Sequence, residues 1–216
     1  DLKFGNAGSL MAYSLQSGEV VMVADLSGFL IANGLDALPD DNAILMADED
    51  IFGKGGVSRF NISFASGVPV VTEMQQHWIG PAQKVYAANG VRVVDGNVFL
   101  TDIGFLKKLP LDAQGNPQRA QILYRGATVL DDLAPYCDGV LVADFVMGRL
   151  IYASADGDVI EKTRSGFASP SSLLPDASPM FDASQLLVTE SYGLTAGKGN
   201  RLAAITWDEL GISACR

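Results

Sequence analysis

Four acidic residues occupy equivalent places in the sequence, each directly after a short apolar run. They are Asp48, Asp102, Asp144 and Glu190. Such carboxylates can transfer protons, and they can also accept hydrogen bonds from the backbone of a turn. Because each one stands where an apolar run ends and a turn must begin, we predict that all four cap turns and do not act as acids. The candidates for chemistry are therefore the residues around them.

Large apolar or aromatic side chains follow these acids and predict an apolar surface beside them. The positions are Phe52, Phe105, Phe145, Met147 and Tyr192. Packing between neighbouring sheets explains any single one of them. Small-molecule pockets, however, are mostly apolar with a few placed polar groups. Five such positions in the same relative place therefore indicate a substrate-binding surface.

The segment 72–88 contains His77, the only histidine of the chain, followed by Trp78. We interpret this segment as a lid over the apolar surface, with Trp78 as a substrate contact. A histidine can exchange a proton near neutral pH, which makes His77 a candidate catalytic residue. The alternative is a loop or core histidine with a structural role.

Charge and motifs argue against several kinds of function. The chain has 15 basic and 25 acidic residues and a formal charge of −10, whereas binding to a nucleic-acid backbone needs clustered Lys and Arg. No run approaches the roughly 18 apolar residues of a membrane span. No G-x-S-x-G elbow supports a serine hydrolase. We therefore expect neither a nucleic-acid partner nor a membrane span.

The two cysteines, Cys137 and Cys215, form neither a zinc-finger motif nor a disulfide framework. The sequence is compatible with a disulfide between them and with two separate buried thiols. The sequon at residues 61–63 would fit a secreted protein, and a chance match explains it equally well. The cellular location is therefore left open.

Four similar units organise these residues along the chain. Each unit begins at a polar or glycine-containing segment, at Asn33, Asn89, Asp131 and Ser171, and continues into a strand that ends on one of the four acids. Third strands are predicted at 57–60, 106–109, 149–152 and 201–204, and fourth strands at 68–71, 121–124 and 158–161. A four-stranded unit that recurs every ~40–45 residues is typical of β-propeller blades.

We predict an all-β fold, a single, partial β-propeller domain over residues 1–216. An ordinary meander sandwich is the alternative, but the recurrence of the same start and the same acid favours the propeller. The predicted blades span 8–27 (a half blade), 28–80, 81–126, 127–168 and 169–210. Four and a half blades cannot close a ring, and open sheet edges are a liability. We therefore expect six blades in the full protein and a missing N-terminal segment.

Strands within a blade alternate in direction, so the blade starts, the acids and the residues after the acids lie on one face. The blade starts Asn33-Gly34-Leu35-Asp36, Asn89-Gly90-Val91-Arg92 and Asp131-Asp132 resemble the six-bladed gluconolactonase/regucalcin family, and more loosely the strictosidine-synthase-like proteins. They are closer to a fungal branch found in natural-product pathways, some of whose members are hetero-Diels-Alderases. The resemblance extends from about Gly8 to Trp207 and implies a small-molecule enzyme with its site at the tunnel mouth.

In the calcium-dependent lactonases of that family, side chains at successive blade starts hold one divalent metal. The resemblance therefore implies Asn89 and Asp131 as metal ligands and Asn33 as a substrate contact. The family's further Glu ligand comes from a first blade that these residues do not include, and calcium usually takes six to eight oxygen ligands. Oxygen-bearing side chains also shape turns, so a metal site and a set of turn residues are both open.

Three hypotheses for function follow. A cyclase or pericyclase of the hetero-Diels-Alder type needs no cofactor, only an apolar cavity that holds the reactants and a donor that polarises a carbonyl; His77, Arg92 and Asp131 are its catalytic candidates. A metal-dependent lactonase would use one calcium or other divalent ion, with Asp131 as base. A non-catalytic binding propeller is the third. We favour the cyclase, because an apolar mouth suits a hydrophobic natural product better than a sugar lactone.

Overall fold

Short strands form antiparallel sheets along the whole of the computed structural model, which describes residues 8–38, 42–50, 52–64, 67–164, 166–175, 185–191 and 200–212. Sheet I is a hairpin of β1 (Ser9–Tyr13) and β2 (Val20–Asp25). Sheet II contains β3 (Ala32–Leu38), β4 (Ala43–Asp48), β5 (Gly56–Ser63) and β6 (Val70–Ile79). Sheet III contains β7 (Ala88–Val94), β8 (Asn97–Asp102), β9 (Phe105–Pro110) and β10 (Gln121–Arg125).

The second half of the chain continues the same pattern. Sheet IV contains β11 (Leu130–Tyr136), β12 (Gly139–Asp144), β13 (Arg149–Ser154) and β14 (Ile160–Lys162). Sheet V contains β15 (Pro170–Pro175), β16 (Gln185–Glu190) and β17 (Arg201–Thr206), and the short helix α1 (Trp207–Leu210) follows it. No helix in the described ranges has the length and apolar character needed to cross a membrane.

In sheets II to V, the first strand lies innermost. Strands β3, β7, β11 and β15 contact one another from sheet to sheet, and each sheet runs outward from them in chain order. This is the arrangement of propeller blades around a central tunnel. The predicted fold class is therefore confirmed: the chain is all-β and built of propeller blades, most of them four-stranded. A six-bladed ring and a missing segment stay predictions.

Alternation along each strand fills the spaces between the blades with apolar side chains. In β8, Leu100 belongs to the core between sheets II and III, whereas the neighbouring Phe99 belongs to the core between sheets III and IV. Side chains of a strand point alternately to its two faces, so a strand that lies between two neighbouring blades carries apolar side chains on both faces. Sheet I packs on sheet II in the same way, through Leu10 against Met46 and Phe60.

The four acids predicted from the sequence hold the segment that leads into the innermost strand. Oδ1 of Asp102, for example, accepts a hydrogen bond from the backbone N–H of Ala87 at 2.8 Å. Asp48 and Glu190 make the corresponding bonds. The predicted capping of the following turn is present at Asp144, whose Oδ1 accepts from the N–H of Met147 at 3.4 Å. These carboxylates mainly fix where the innermost strands begin.

Three of these acids also pair with a basic residue of the third strand. The pairs are Asp102 with Lys107, Asp144 with Arg149 and Glu190 with Arg201. In sheet II, Nε2 of His77 lies 3.9 Å from Oδ2 of Asp48 and occupies the corresponding place, although it comes from β6. The histidine therefore belongs to a repeated structural pairing.

The prediction of a lid at residues 72–88 is wrong. Residues Val70–Ile79 form β6, which pairs with β5, and a 3-10 turn at Pro81–Gln83 leads on to β7. The strand lies at the outer edge of its sheet, so most of its side chains are exposed or only partly buried. An outer strand therefore lacks the apolar alternation that identifies a buried strand.

Cys137 lies in the turn between β11 and β12 and is disulfide-bonded. Cys215 lies outside the described residues. Of the two alternatives that the sequence left open, the separate buried thiols are therefore excluded for Cys137.

Candidate functional site

Each innermost strand contains a β-bulge close to its start. The register shifts after Ala32 in β3, after Ala88 in β7, after Leu130 in β11 and after Pro170 in β15. Asn33, Asn89 and Asp131 are the residues that directly follow the first three positions. Bulges re-aim side chains and are over-represented next to active sites. Three of the site residues implied by the resemblance thus share one structural device at one end of the tunnel.

These three residues form a polar cluster together with Glu49, which directly follows β4. Nδ2 of Asn89 donates a hydrogen bond to Oε2 of Glu49 at 3.1 Å. The amide of Asn89 also lies close enough to Asp131 to lower the pKa of that carboxyl, and the amide of Asn33 has the same effect on the pKa of Glu49. We call Asn33, Glu49, Asn89 and Asp131 the tunnel cluster. It joins sheets II, III and IV.

Negative charge is concentrated in the tunnel cluster. Burial, followed by the charges of Asp132 and Glu49, raises the pKa of Asp131 from 3.8 to about 7. Burial also raises the pKa of Glu49, against the hydrogen bonds from Asn89 and Asn33. A carboxyl group that titrates near neutral pH can take up or release a proton during a reaction. Asp131 is therefore suited to the role of a general base.

The donor atoms of the tunnel cluster fit a hard divalent cation. Asn89 is only 5% exposed, and its Oδ1 is a buried atom without a hydrogen-bond partner. Such an oxygen is unfavourable unless something binds it, and oxygen atoms are the ligands that calcium prefers. No group of three or more His, Cys, Asp or Glu side chains in the described ranges could hold a metal. The amide oxygens would therefore have to complete the ligand set.

A second polar network surrounds Arg92 on the tunnel wall. Its guanidinium donates to Oδ2 of Asp132 at 2.8 Å and to the carbonyl oxygen of Leu35 at 3.2 Å. Oγ of Ser172 donates to the same Asp132 oxygen at 2.7 Å. These bonds connect β3, β7, β11 and β15. Arg92 is thus engaged in holding the innermost strands together, beside the tunnel cluster.

The structure does not bring His77 and Trp78 to the tunnel cluster. Both lie on β6, the outermost strand of sheet II, and the imidazole of His77 faces Asp48, the residue before Glu49, at 3.9 Å. Trp78 packs against the core between sheets II and III, with the guanidinium carbon of Arg59 5.5 Å from its ring centre. The roles of His77 as catalyst and of Trp78 as substrate contact stay predictions.

The predicted aromatic contacts differ in exposure. Phe52 is 76% exposed in the turn between β4 and β5. Phe105 is partly buried, with the cations of Lys107 and Arg125 5.3 and 5.1 Å from its ring centre. Phe145 is partly buried in the turn between β12 and β13. Tyr192 lies outside the described residues. Phe52 is therefore the aromatic side chain most available to a ligand.

Comparison with known proteins gives the fold. No family model and no curated protein matches the chain. A luciferin-regenerating enzyme superposes with a TM-score of 0.65 at 12% identity, over 94% of this chain and 71% of the other. A nidogen/laminin complex superposes with a TM-score of 0.62 at 15% sequence identity, over 97% of this chain and 74% of the other. Regucalcin from Agrobacterium tumefaciens, described as a calcium-binding protein, superposes with a TM-score of 0.61 at 18% sequence identity, over 88% of this chain and 65% of the other. At such identities, the likeness establishes the propeller fold alone.

Proposed function

We propose that this propeller is a hydrolase of lactones or related small esters that depends on a divalent cation bound by the tunnel cluster. The buried amide of Asn89 carries the proposal, because it links the carboxylates of Glu49 and Asp131 and leaves its own oxygen without a partner. The calcium-binding description of the regucalcin neighbour supports the choice of metal. This conclusion replaces the cyclase as the favoured function.

Each residue of the tunnel cluster has a distinct role in this proposal. A divalent cation bound there would polarise the ester carbonyl. Asp131, beside Asn89 in the cluster, would accept the proton of the attacking water and return it to the alkoxide that is released when the ring C–O bond breaks. Asn33, which is exposed, would donate a hydrogen bond to a substrate oxygen. Glu49 and Asn89 would hold the cation and keep Asp131 in place.

Lactone hydrolysis by the purified chain tests this proposal. We expect activity with δ-valerolactone and its alkyl homologues at pH 7.5, at least a ten-fold loss in excess chelator, and recovery on addition of Ca²⁺. Asn89→Ala should lower the activity similarly, because it removes the buried oxygen and the link between the two carboxylates. Asn116→Ala, in an exposed turn, is the matched control. Full activity in chelator would refute the metal-dependent mechanism.

The cyclase remains the second candidate because of one observation. Phe52 presents an exposed aromatic ring on the same face as the tunnel cluster, as expected for a hydrophobic natural-product substrate. Its predicted donors are placed less well, since Arg92 bonds to Asp132 and His77 lies on the outermost strand. Cycloaddition that proceeds unchanged in chelator, without lactone hydrolysis, would favour it. Ligand binding without any turnover would favour a binding propeller.

A further inference from the structure

Exposed apolar side chains recur on the same turn of three successive sheets. Phe52 (76% exposed) lies between β4 and β5, Ile103 (48%) between β8 and β9, and Val146 (59%) and Met147 (41%) between β12 and β13. These turns all follow the second strand, so they lie on the face where the innermost strands begin. We call these four residues the apolar rim. Single exposed apolar residues are common, whereas a set in equivalent places indicates a binding surface.

Ile103 has a backbone conformation that disfavours its own side chain. Its φ is 57°, in the left-handed region, where a β-branched residue is unusual and Gly or Asn is preferred. The side chain is about half exposed, so packing in the core does not account for the isoleucine. Strained residues cluster at functional sites. Neither the preference of the turn nor packing in the core therefore accounts for an isoleucine at position 103.

The apolar rim adjoins the tunnel cluster. The carbonyl oxygen of Ile103 accepts a hydrogen bond from the N–H of Leu130 at 2.7 Å, and Leu130 directly precedes Asp131. Phe52 lies three residues after Glu49, and its N–H is held by Oδ1 of Asp50 at 2.7 Å. The rim and the cluster thus share backbone supports, and one molecule could contact both.

We propose that the apolar rim binds the apolar arm of the substrate, so that the preferred substrates are alkyl- or aryl-substituted lactones and not sugar lactones. This inference rests on the proposed function, whose site it completes. An alkyl arm gains affinity roughly three- to four-fold for each methylene that it buries. The net charge of −10 argues against an anionic lipid surface as the occupant.

A homologous series of lactones tests the inference. From δ-valerolactone to δ-octalactone and δ-decalactone, we expect KM to fall at least two-fold per methylene while kcat stays nearly constant. The double variant Phe52→Ser, Ile103→Asn should flatten this series and raise the KM of δ-decalactone about thirty-fold or more, which is two-fold for each of its five additional carbons, with δ-valerolactone unaffected. Asn suits the left-handed backbone at 103, so the fold should persist. Ile122→Asn, at an exposed site on β10, is the matched control.

Binding of unreactive lactams separates this inference from the proposed function. Affinity for δ-valerolactam and its 6-alkyl homologues is measured by calorimetry with calcium present. If no lactone is hydrolysed but lactam affinity rises with chain length and the double variant abolishes that rise, the rim is supported and the hydrolase is refuted. Lactone hydrolysis with a KM that does not depend on chain length would refute binding by the apolar rim and leave the proposed hydrolase standing. The same conclusion follows if the KM of the double variant still depends on chain length. Absence of both hydrolysis and binding would refute both.

Discussion

The buried amide of Asn89 lies between two carboxylates, those of Glu49 and Asp131. Without a bound cation, this arrangement is unfavourable for the stability of the protein. Each carboxyl is disfavoured in its charged form by burial, and Asp132 adds a further negative charge beside Asp131. Groups arranged against stability are typical of sites that perform chemistry or bind ions. The tunnel cluster is therefore expected to weaken the metal-free protein measurably at neutral pH.

Asp131→Asn should stabilise the metal-free protein at pH 8 but not at pH 4. The pKa of Asp131 is about 7 in the folded chain, against an ordinary 3.8, so the folded state binds more protons between these values and the unfolding free energy falls as pH rises through them. One pKa unit corresponds to about 1.4 kcal/mol; allowing for partial exposure, we expect a gain of ~1–2 kcal/mol. Urea unfolding in chelator measures it, with Asp158→Asn as control. An equal gain at both pH values would contradict the prediction.

Resemblance identified Asn33, Asn89 and Asp131, which the structure brings together, but Glu49 was missed. The reason is physical: Glu49 follows Asp48 in a turn, where no periodicity marks it, and its role arises only because Asn89 comes from the next sheet. The pairing of His77 with Asp48 could not be predicted for the same reason, since it joins β6 to β4, two strands that are not neighbours in the sheet.

At the level of the strands, the bulges of the innermost strands and their glycines bring the blades close together. A Cβ at Gly34 would lie 2.7 Å from the carbonyl oxygen of Asn89. The third strands at 106–109 and 149–152 were predicted correctly, because their apolar residues are buried between blades. The bulges could not be predicted, since they reflect pairing between strands and leave no local signature in the sequence.

Gly90→Ala should displace β11 and disturb the tunnel cluster. The added Cβ would lie 2.7 Å from Cδ2 of Leu133, 2.9 Å from Cα of Asp132 and 3.1 Å from the carbonyl oxygen of Asp131, so the neighbouring backbone must shift. We expect a loss of about 1–3 kcal/mol in stability and a clear loss of terbium luminescence, terbium being a probe for calcium sites. Gly166→Ala places its Cβ in open space and should change neither quantity. Unaltered terbium binding by Gly90→Ala would show that the cluster does not depend on this contact.

For the whole molecule, the tunnel cluster matters because it joins three sheets that otherwise meet mainly through apolar packing. Asn33 and Glu49 belong to sheet II, Asn89 to sheet III and Asp131 to sheet IV. The proposed ligand set would therefore exist only when these blades are packed around the tunnel. A cation bound to all of them would act on the folding of the whole unit, in addition to any role in catalysis.

Calcium should accordingly raise the unfolding free energy of the whole described unit in a single transition. A ligand that binds only the folded state stabilises it by about 2.7 kcal/mol at 100 times its Kd. Because the chain carries a net charge of −10, any salt also relieves charge repulsion, so the comparison requires NaCl at matched ionic strength. We expect the thermal midpoint to rise with CaCl₂ beyond its rise in NaCl, and the excess to disappear in Asn89→Ala. Equal shifts in both salts would mean that the negative charge is merely screened and that the tunnel cluster binds no calcium.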